Sequence, residues 1–254
     1  MIPWFQFTEF YIGPIPIQVW GTLVAIGIGT SLFFLYKRAP ALGLNRDVLL
    51  DQAFWMILAG LLGARLFYVL FFNPLFFLAH PIEIFKVWHG GLLSYGGFVG
   101  AIVGFFWYAK RKKLDKKWWL KHGDAVAQVS VVGWIIARIG CFLIHDHLGK
   151  PCDCFLAIDT PDGPRLEMAL FEILTLLPIL VLFYIWRNKK KPDGWFLGVL
   201  AAYYGTARFL LDFGRTTEFV GGDVRYLGLT PAQYFSMVAF VVGVYLIRRG
   251  RIEV

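Results

Sequence analysis

The sequence predicts an all-α polytopic membrane protein: seven transmembrane helices, N-terminus outside, C-terminus cytoplasmic. Composition points there first. The 254 residues are 58% hydrophobic and 18% aromatic, with a mean hydropathy of +0.61, more than a soluble core of this length requires. Second, apolar runs of about twenty residues recur seven times, at about 17–36, 51–73, 91–109, 124–148, 167–186, 194–212 and 231–247. Each suits a hydrocarbon core of about 30 Å. Third, basic residues follow alternate runs, which orients the chain. The whole of 1–254 reads as one transmembrane domain.

The elements follow in order. Met1 to Gln18 lacks the positive region of a cleavable signal peptide, so the first span is expected to be retained. Lys37, Arg38 and Arg46 follow it. The second span starts at Asp51 and carries Arg65 beyond its middle. Residues 74–90 are rich in proline and aromatics, with Trp88 and His89 suiting an interface. The third span opens on a glycine-rich stretch with Tyr95 about one turn in, and seven basic residues from Lys110 to Lys121 follow. The fourth runs outward from Asp124, placing Arg138 about 21 Å along at 1.5 Å per residue. Residues 149–166 read as a surface loop. Glu172 lies in the outer part of the fifth span, which Arg187 to Lys191 follow. Arg208 sits in the outer third of the sixth, 213–230 read as another loop, and Arg248, Arg249 and Arg251 follow the seventh.

The loops on the cytoplasmic side thus hold seventeen of the 25 Lys and Arg. The opposite loops hold only Lys86, Lys150, Arg165, Arg215 and Arg225. The net charge of +8 therefore reflects cytoplasmic loops, and no nucleic-acid partner is expected. There is no internal repeat.

Arg65, Arg138 and Arg208 are the anomaly. A central intramembrane Arg costs about 2.5–3.5 kcal/mol, so three cost roughly 8–10 kcal/mol before any partner relieves them. Arg65 alone is as consistent with snorkelling as with function. Arg208 has Tyr204 and Asp212 one turn to either side, and an Arg–Asp pair there can be structural. Together they favour an inward-facing polar cavity in the outer half of the bilayer, and guanidinium grips phosphate through forked donors. Other features are weaker. Gly96, Gly100 and Gly104 have small-xxx-small spacing and suit helix packing, while the glycine pairs flanking Tyr95 suit backbone approach to a ligand. His145-Asp146-His147 suggests a metal, but i and i+2 face apart on a helix and no third ligand is suitably spaced, so no metal is expected. Cys152-Asp153-Cys154 is too tight for an unstrained disulfide. These thiols are expected to be free.

Several segments resemble the prolipoprotein diacylglyceryl transferase family. Ala137-Arg138-Ile139-Gly140-Cys141-Phe142-Leu143-Ile144-His145-Asp146-His147-Leu148-Gly149 is similar to its signature, roughly G-R-x-G-N-F-x-N-x-E-x-x-G. Gly63-Ala64-Arg65-Leu66-Phe67-Tyr68 resembles a G-x-R-x-x-Y element, and Gly90 to Gly97 a G-G-x-x-x-(H/Y)-G-G element. Tyr204-Gly205-Thr206-Ala207-Arg208 with Asp212 and Arg215 resembles Y-G-x-x-R-x-x-x-(E/D)-x-x-R. Gly13-Pro14 and Trp20-Gly21 also fit.

The resemblance implies a bacterial inner-membrane enzyme that transfers diacylglyceryl from phosphatidylglycerol to the lipobox cysteine thiol in a prolipoprotein signal peptide, releasing glycerol phosphate. Its partners are then these two substrates and the surrounding membrane lipids. No metal or organic cofactor is implied, because the donor lipid is already activated. Arg138 is implied as headgroup ligand, and Arg208, Tyr204 and Tyr95 as the catalytic residues. Tyr95 stands where some members have His, and tyrosine, with a reference pKa near 10, is a poor base without tuning. Arg65, Asp146, Glu172, Asp212 and Arg215 complete the implied substrate-binding set. Cys141, Ile144 and Asp146 replace the signature's Asn, Asn and Glu, and Phe171 stands where Tyr is usual. The alternatives are a transporter or channel for a small anion, which would place charges near the midplane, or a family member with altered donor or lost activity.

Overall fold

The computed structural model describes residues 1–72, 74–87, 90–216 and 225–252. Trp88 and His89, expected at an interface, lie outside the described residues, as do 217–224 of the expected loop 213–230. The chain is mostly helical. The long helices are α1 (Val19–Arg38), α2 (Arg46–Phe72), α4 (Ser94–Arg111), α5 (Lys116–Ile144), α6 (Met168–Trp186), α7 (Trp195–Leu211) and α8 (Pro231–Ile252), with a short α3 (Pro74–Ala79) after α2. Each expected span coincides with one of them. By length and composition, five can cross a membrane: α1, α2, α5, α6 and α8. The other two, α4 and α7, have 18 and 17 residues.

Packing divides the chain into two compact units, Met1–Leu35 with Leu120–Val254, and Tyr36–Trp119. In the smaller unit α2 and α4 lie almost backbone to backbone. A Cβ on Gly96 would strike Gly63 O and Phe67, one on Gly100 would strike the Ala59 carbonyl, and one on Gly104 would strike Trp55 O. The small-xxx-small spacing is thus a helix contact. The glycine pair Gly90-Gly91 behaves differently from expectation. Both have positive φ (82° and 78°), and a Cβ on Gly91 would meet Tyr68 and the Arg65 guanidinium. What approaches this backbone is an internal side chain.

In the larger unit, Ala127 and Val131 of α5, Leu176, Ile179 and Phe183 of α6, and Phe196 and Leu200 of α7 form one apolar core. Asp124 accepts from Gly194 N (2.7 Å) and Leu197 N (2.8 Å), capping α7 from inside α5. Helix α8 meets α7 where Gly198, Gly205 and Gly243 leave no room for a Cβ. Its start is a capping box: Gln233 N donates to Thr230 Oγ1 (3.2 Å) and Thr230 N to Gln233 Oε1 (3.0 Å), with Pro231 opening the helix.

The segments outside the helices are more regular than expected. Strands β2 (Glu9–Ile12) and β3 (Ile15–Gln18) form a hairpin around Gly13. The expected loop 149–166 is largely sheet: β1 (Ile2–Pro3), β5 (Ala157–Thr160), β6 (Gly163–Glu167) and β4 (Leu148–Pro151) lie side by side in that order. Such short strands carry almost no alternation signal; the visible one is the turn chemistry of Pro161-Asp162-Gly163 between β5 and β6. Because β4 follows α5 and β6 precedes α6, the sheet joins the C-terminal end of α5 to the N-terminal end of α6. Cys152 and Cys154 are disulfide-bonded, against expectation. The turn after β4 sets their Cα atoms 5.4 Å apart, inside the bridging range of about 4.4–6.8 Å.

Candidate active site: three guanidiniums on two carboxylates

The antiparallel run of α5, α6 and α7 brings the end of α5, the start of α6 and the end of α7 together. Each end contributes a charged residue. Glu172, one turn into α6, is the hub, and its side chain is wholly buried. Its Oε2 meets Arg138 Nε of α5 at 2.7 Å and accepts from the Tyr204 hydroxyl of α7 at 3.2 Å. Its Oε1 accepts from Arg208 Nη1 at 3.0 Å and Arg215 Nη2 at 3.4 Å.

Asp212, at the C-terminal cap of α7, is the second carboxylate. Its Oδ1 lies 2.9 Å from Arg208 Nη2 and 3.2 Å from Arg215 Nε, and the Thr230 hydroxyl donates to its Oδ2. The 3-10 turn Asp212–Gly214 swings Arg215 back toward α6, and Gly149 pairs with Arg215 as an isolated bridge that ties this turn to the sheet. Trp134 packs on the Tyr204 ring at 4.2 Å between centroids, fixing the phenol.

Among the described residues, three guanidiniums thus face two carboxylates, Glu172 and Asp212, in a largely dry place. Arg138 is the most open of the three, its side chain 17% exposed against 9% for Arg208 and 8% for Arg215. Its Nη1 points to Cys141 Sγ at 3.5 Å, a weak acceptor.

The family model for prolipoprotein diacylglyceryl transferase matches residues 8–249. The chain belongs to the prolipoprotein diacylglyceryl transferase family. It is 31% identical to the phosphatidylglycerol–prolipoprotein diacylglyceryl transferase of Cupriavidus metallidurans, over 98% of this chain and 96% of the relative. The protein of that name in Cupriavidus pinatubonensis is 30% identical over 96% of this chain and 91% of the relative. The one in Pseudomonas putida strain F1 is 31% identical over 93% and 90%. With its several long apolar helices, the chain is a multi-pass membrane member of this enzyme family.

Within this family member, Arg138, Glu172, Tyr204, Arg208, Asp212 and Arg215 form one cluster. Asp146 lies beyond the end of α5, its Oδ1 3.5 Å from His147 Nδ1. Tyr95, in the first turn of α4, and Arg65 belong to the smaller unit. Arg65 differs from the expected substrate ligand. Its Nε donates to Ile84 O (2.9 Å), Nη1 to Gly90 O (2.5 Å) and Gly91 O (3.0 Å), and Nη2 to Glu83 O (2.5 Å) and Lys86 O (3.4 Å). A guanidinium has five N–H donors, so backbone carbonyls take every one and none is left for a phosphate.

Glu172 and Asp212 also read differently from ligands of an anionic lipid. Their oxygens face guanidiniums, so they hold the arginines in place. Thr230, which anchors Asp212, was missed in the sequence, though Thr230-Pro231-Ala232-Gln233 carries a capping-box signature. Buried Glu167 was missed too, as was its pairing with buried His145. They meet at 2.6 Å (Nδ1 to Oε2), and Glu167 Oε1 accepts from Ala169 N at the start of α6. Among the described residues no group of three or more His, Cys, Asp or Glu is placed to hold a metal ion.

Proposed function

We propose that the chain transfers the diacylglyceryl group of phosphatidylglycerol to the lipobox cysteine thiol of prolipoproteins, forming a thioether and releasing glycerol phosphate. The setting is a bacterial inner membrane, crossed seven times by the long helices, with the N-terminus outside and the C-terminus cytoplasmic. One observation supports this reading most: the convergence of three guanidiniums at one buried place, with Arg138 the most exposed of them.

The lipid's phosphodiester carries a negative charge that these guanidiniums attract. Arg138 holds its oxygens, because it is the most exposed guanidinium and has a thiol as neighbour of one terminal nitrogen. Arg208 and Arg215, each bridged between Glu172 and Asp212, keep their positive charge close to the leaving group. Charge grows on the phosphate oxygen as the C–O bond breaks, and preorganised donors stabilise that growth without reorganising. Tyr204 is held by Glu172 and supplies a hydroxyl dipole. The nucleophile is the substrate's thiol, so the enzyme provides none.

The test gives purified protein phosphatidylglycerol and a lipobox peptide and measures thioether by mass together with free glycerol phosphate. Both are expected from wild type, and Arg138→Ala is expected to lose them. A folded wild-type protein that forms neither product would overturn the assignment.

A further inference from the structure

The segment between α5 and β4 places an imidazole beside the cluster that the arginine network does not use. His147 follows the end of α5 by three residues and precedes Gly149 by two. Gly149 is bridged to Arg215, which fixes where the ring emerges. His147 Nδ1 lies 2.5 Å from the Asp146 carbonyl oxygen. A carbonyl can only accept, so Nδ1 carries the hydrogen and Nε2 presents a lone pair. The side chain is 39% exposed, open to a substrate, while Arg138 and Arg215 lie within its electrostatic reach.

We propose that His147 is the general base that takes the proton from the acceptor thiol. The inference rests on the transferase reading and deepens it. As the S–H bond breaks, the proton passes to Nε2. The sulfur's electron pair forms the C–S bond to the glyceryl carbon, and the C–O bond to phosphate breaks with its pair leaving on glycerol phosphate. The imidazolium then returns the proton to water. Desolvation beside the cluster holds His147 below its ordinary pKa; Asp146 opposes this, and the charges of Arg215 and Arg138 add to it. At neutral pH the ring is therefore in the form that can accept a proton. Among the described residues, the charged groups around it are Asp146 in its own segment, Arg138 of α5, Glu172 of α6, and Arg215 after α7.

The experiment compares wild type with His147→Gln on two lipobox peptides, one with cysteine and a twin with selenocysteine, in phosphatidylglycerol-containing micelles. A selenol is already ionised at pH 7 and needs no base. On the cysteine peptide His147→Gln is expected to lose about 100- to 10,000-fold in rate, the usual worth of a general base, with the wild type's acidic pH limb removed. On the selenocysteine peptide it is expected to stay within a few-fold of wild type. An unchanged rate on cysteine, or an equal fall on both peptides, overturns the inference and leaves the transferase reading standing. A folded wild type inactive on both peptides overturns that reading itself.

Discussion

Glu172→Gln is the sharpest perturbation the structure offers. Gln keeps the shape of the side chain but removes its charge and puts an amide NH₂ where Oε1 or Oε2 stood. Whichever way the amide turns, two of its hydrogens face a guanidinium that is itself only a donor. Arg138 Nε at 2.7 Å or Arg208 Nη1 at 3.0 Å then loses its acceptor. The network loses one negative charge at a residue whose side chain is fully buried. Removing one partner of a buried ion pair costs about 3–5 kcal/mol. At roughly 2–4 °C per kcal/mol for a chain of this size, the thermal midpoint should fall by about 6–20 °C. The assay is thermal unfolding in a fixed detergent. The double variant Glu172→Gln/Arg215→Gln removes a cation along with the anion and should recover part of the loss. A single variant as stable as wild type, or a double variant worse than the sum of its parts, would refute the view of Glu172 as the holder of the arginines.

Other outcomes follow from the same geometry. Arg65→Lys replaces a five-pronged fork by an ammonium that cannot reach all the carbonyls between Glu83 and Gly91. It should cost about 3 kcal/mol and expose this segment to limited proteolysis; an unchanged digestion pattern would count against the clamp. Gly100→Val drives a side chain into the Ala59 carbonyl and should lower stability by about 3 kcal/mol or more. Gly29→Ala, where there is open space, is the control and should be neutral or better in the same melt. Burial raises Glu167 to about 8 and lowers His145. For Glu167, the folded state keeps a proton that the unfolded chain releases, so its stabilisation is complete below the ordinary carboxylate range and is lost as pH rises through about 8. His145 acts oppositely, its contribution being present above its ordinary value of 6.5 and lost as pH falls below that. Between about 6.5 and 8 only Glu167 acts, and stability should fall by about 1 kcal/mol per pH unit. Glu167→Gln should flatten the midpoint-versus-pH curve over that window, and an unflattened slope would point to another group.

The helices were legible because twenty-residue apolar runs and alternating basic loops survive in a single sequence, whatever the tertiary contacts. The cap of short strands was not. A two-residue β1 or four-residue β4 offers no period to detect, and its partners lie more than a hundred residues away or across a chain reversal. In the site, Tyr204, Arg208 and Asp212 were readable as one helix face, since they are four residues apart. Glu172 was visible as a buried acid, but its role was not. Being a hub requires three arginines from different parts of the chain to converge on it, and no local pattern encodes that. Thr230 illustrates the opposite case, with its local signature plain and its distant partner Asp212 invisible.

Arg65 and Arg138 show why intramembrane arginines cannot be assigned by cost alone. Both carry the same insertion penalty, and both are relieved, but by different acceptors. Carbonyl dipoles satisfy all five donors of Arg65 without adding charge, and it grips its own loop. Arg138 instead joins an ionic network. Arg208 and Arg215 each bridge Glu172 and Asp212, whereas Arg138 touches Glu172 alone among the carboxylates. Arg138 makes the shortest contact to Glu172, 2.7 Å, yet its side chain is the most exposed of the three. On the proposed reading a phosphodiester monoanion is held at Arg138. The glycerol phosphate that leaves gains a second negative charge, so guanidiniums attract it more strongly than the monoanion. The same cations therefore tighten their grip as charge grows on the leaving oxygen, which is where stabilisation speeds the reaction.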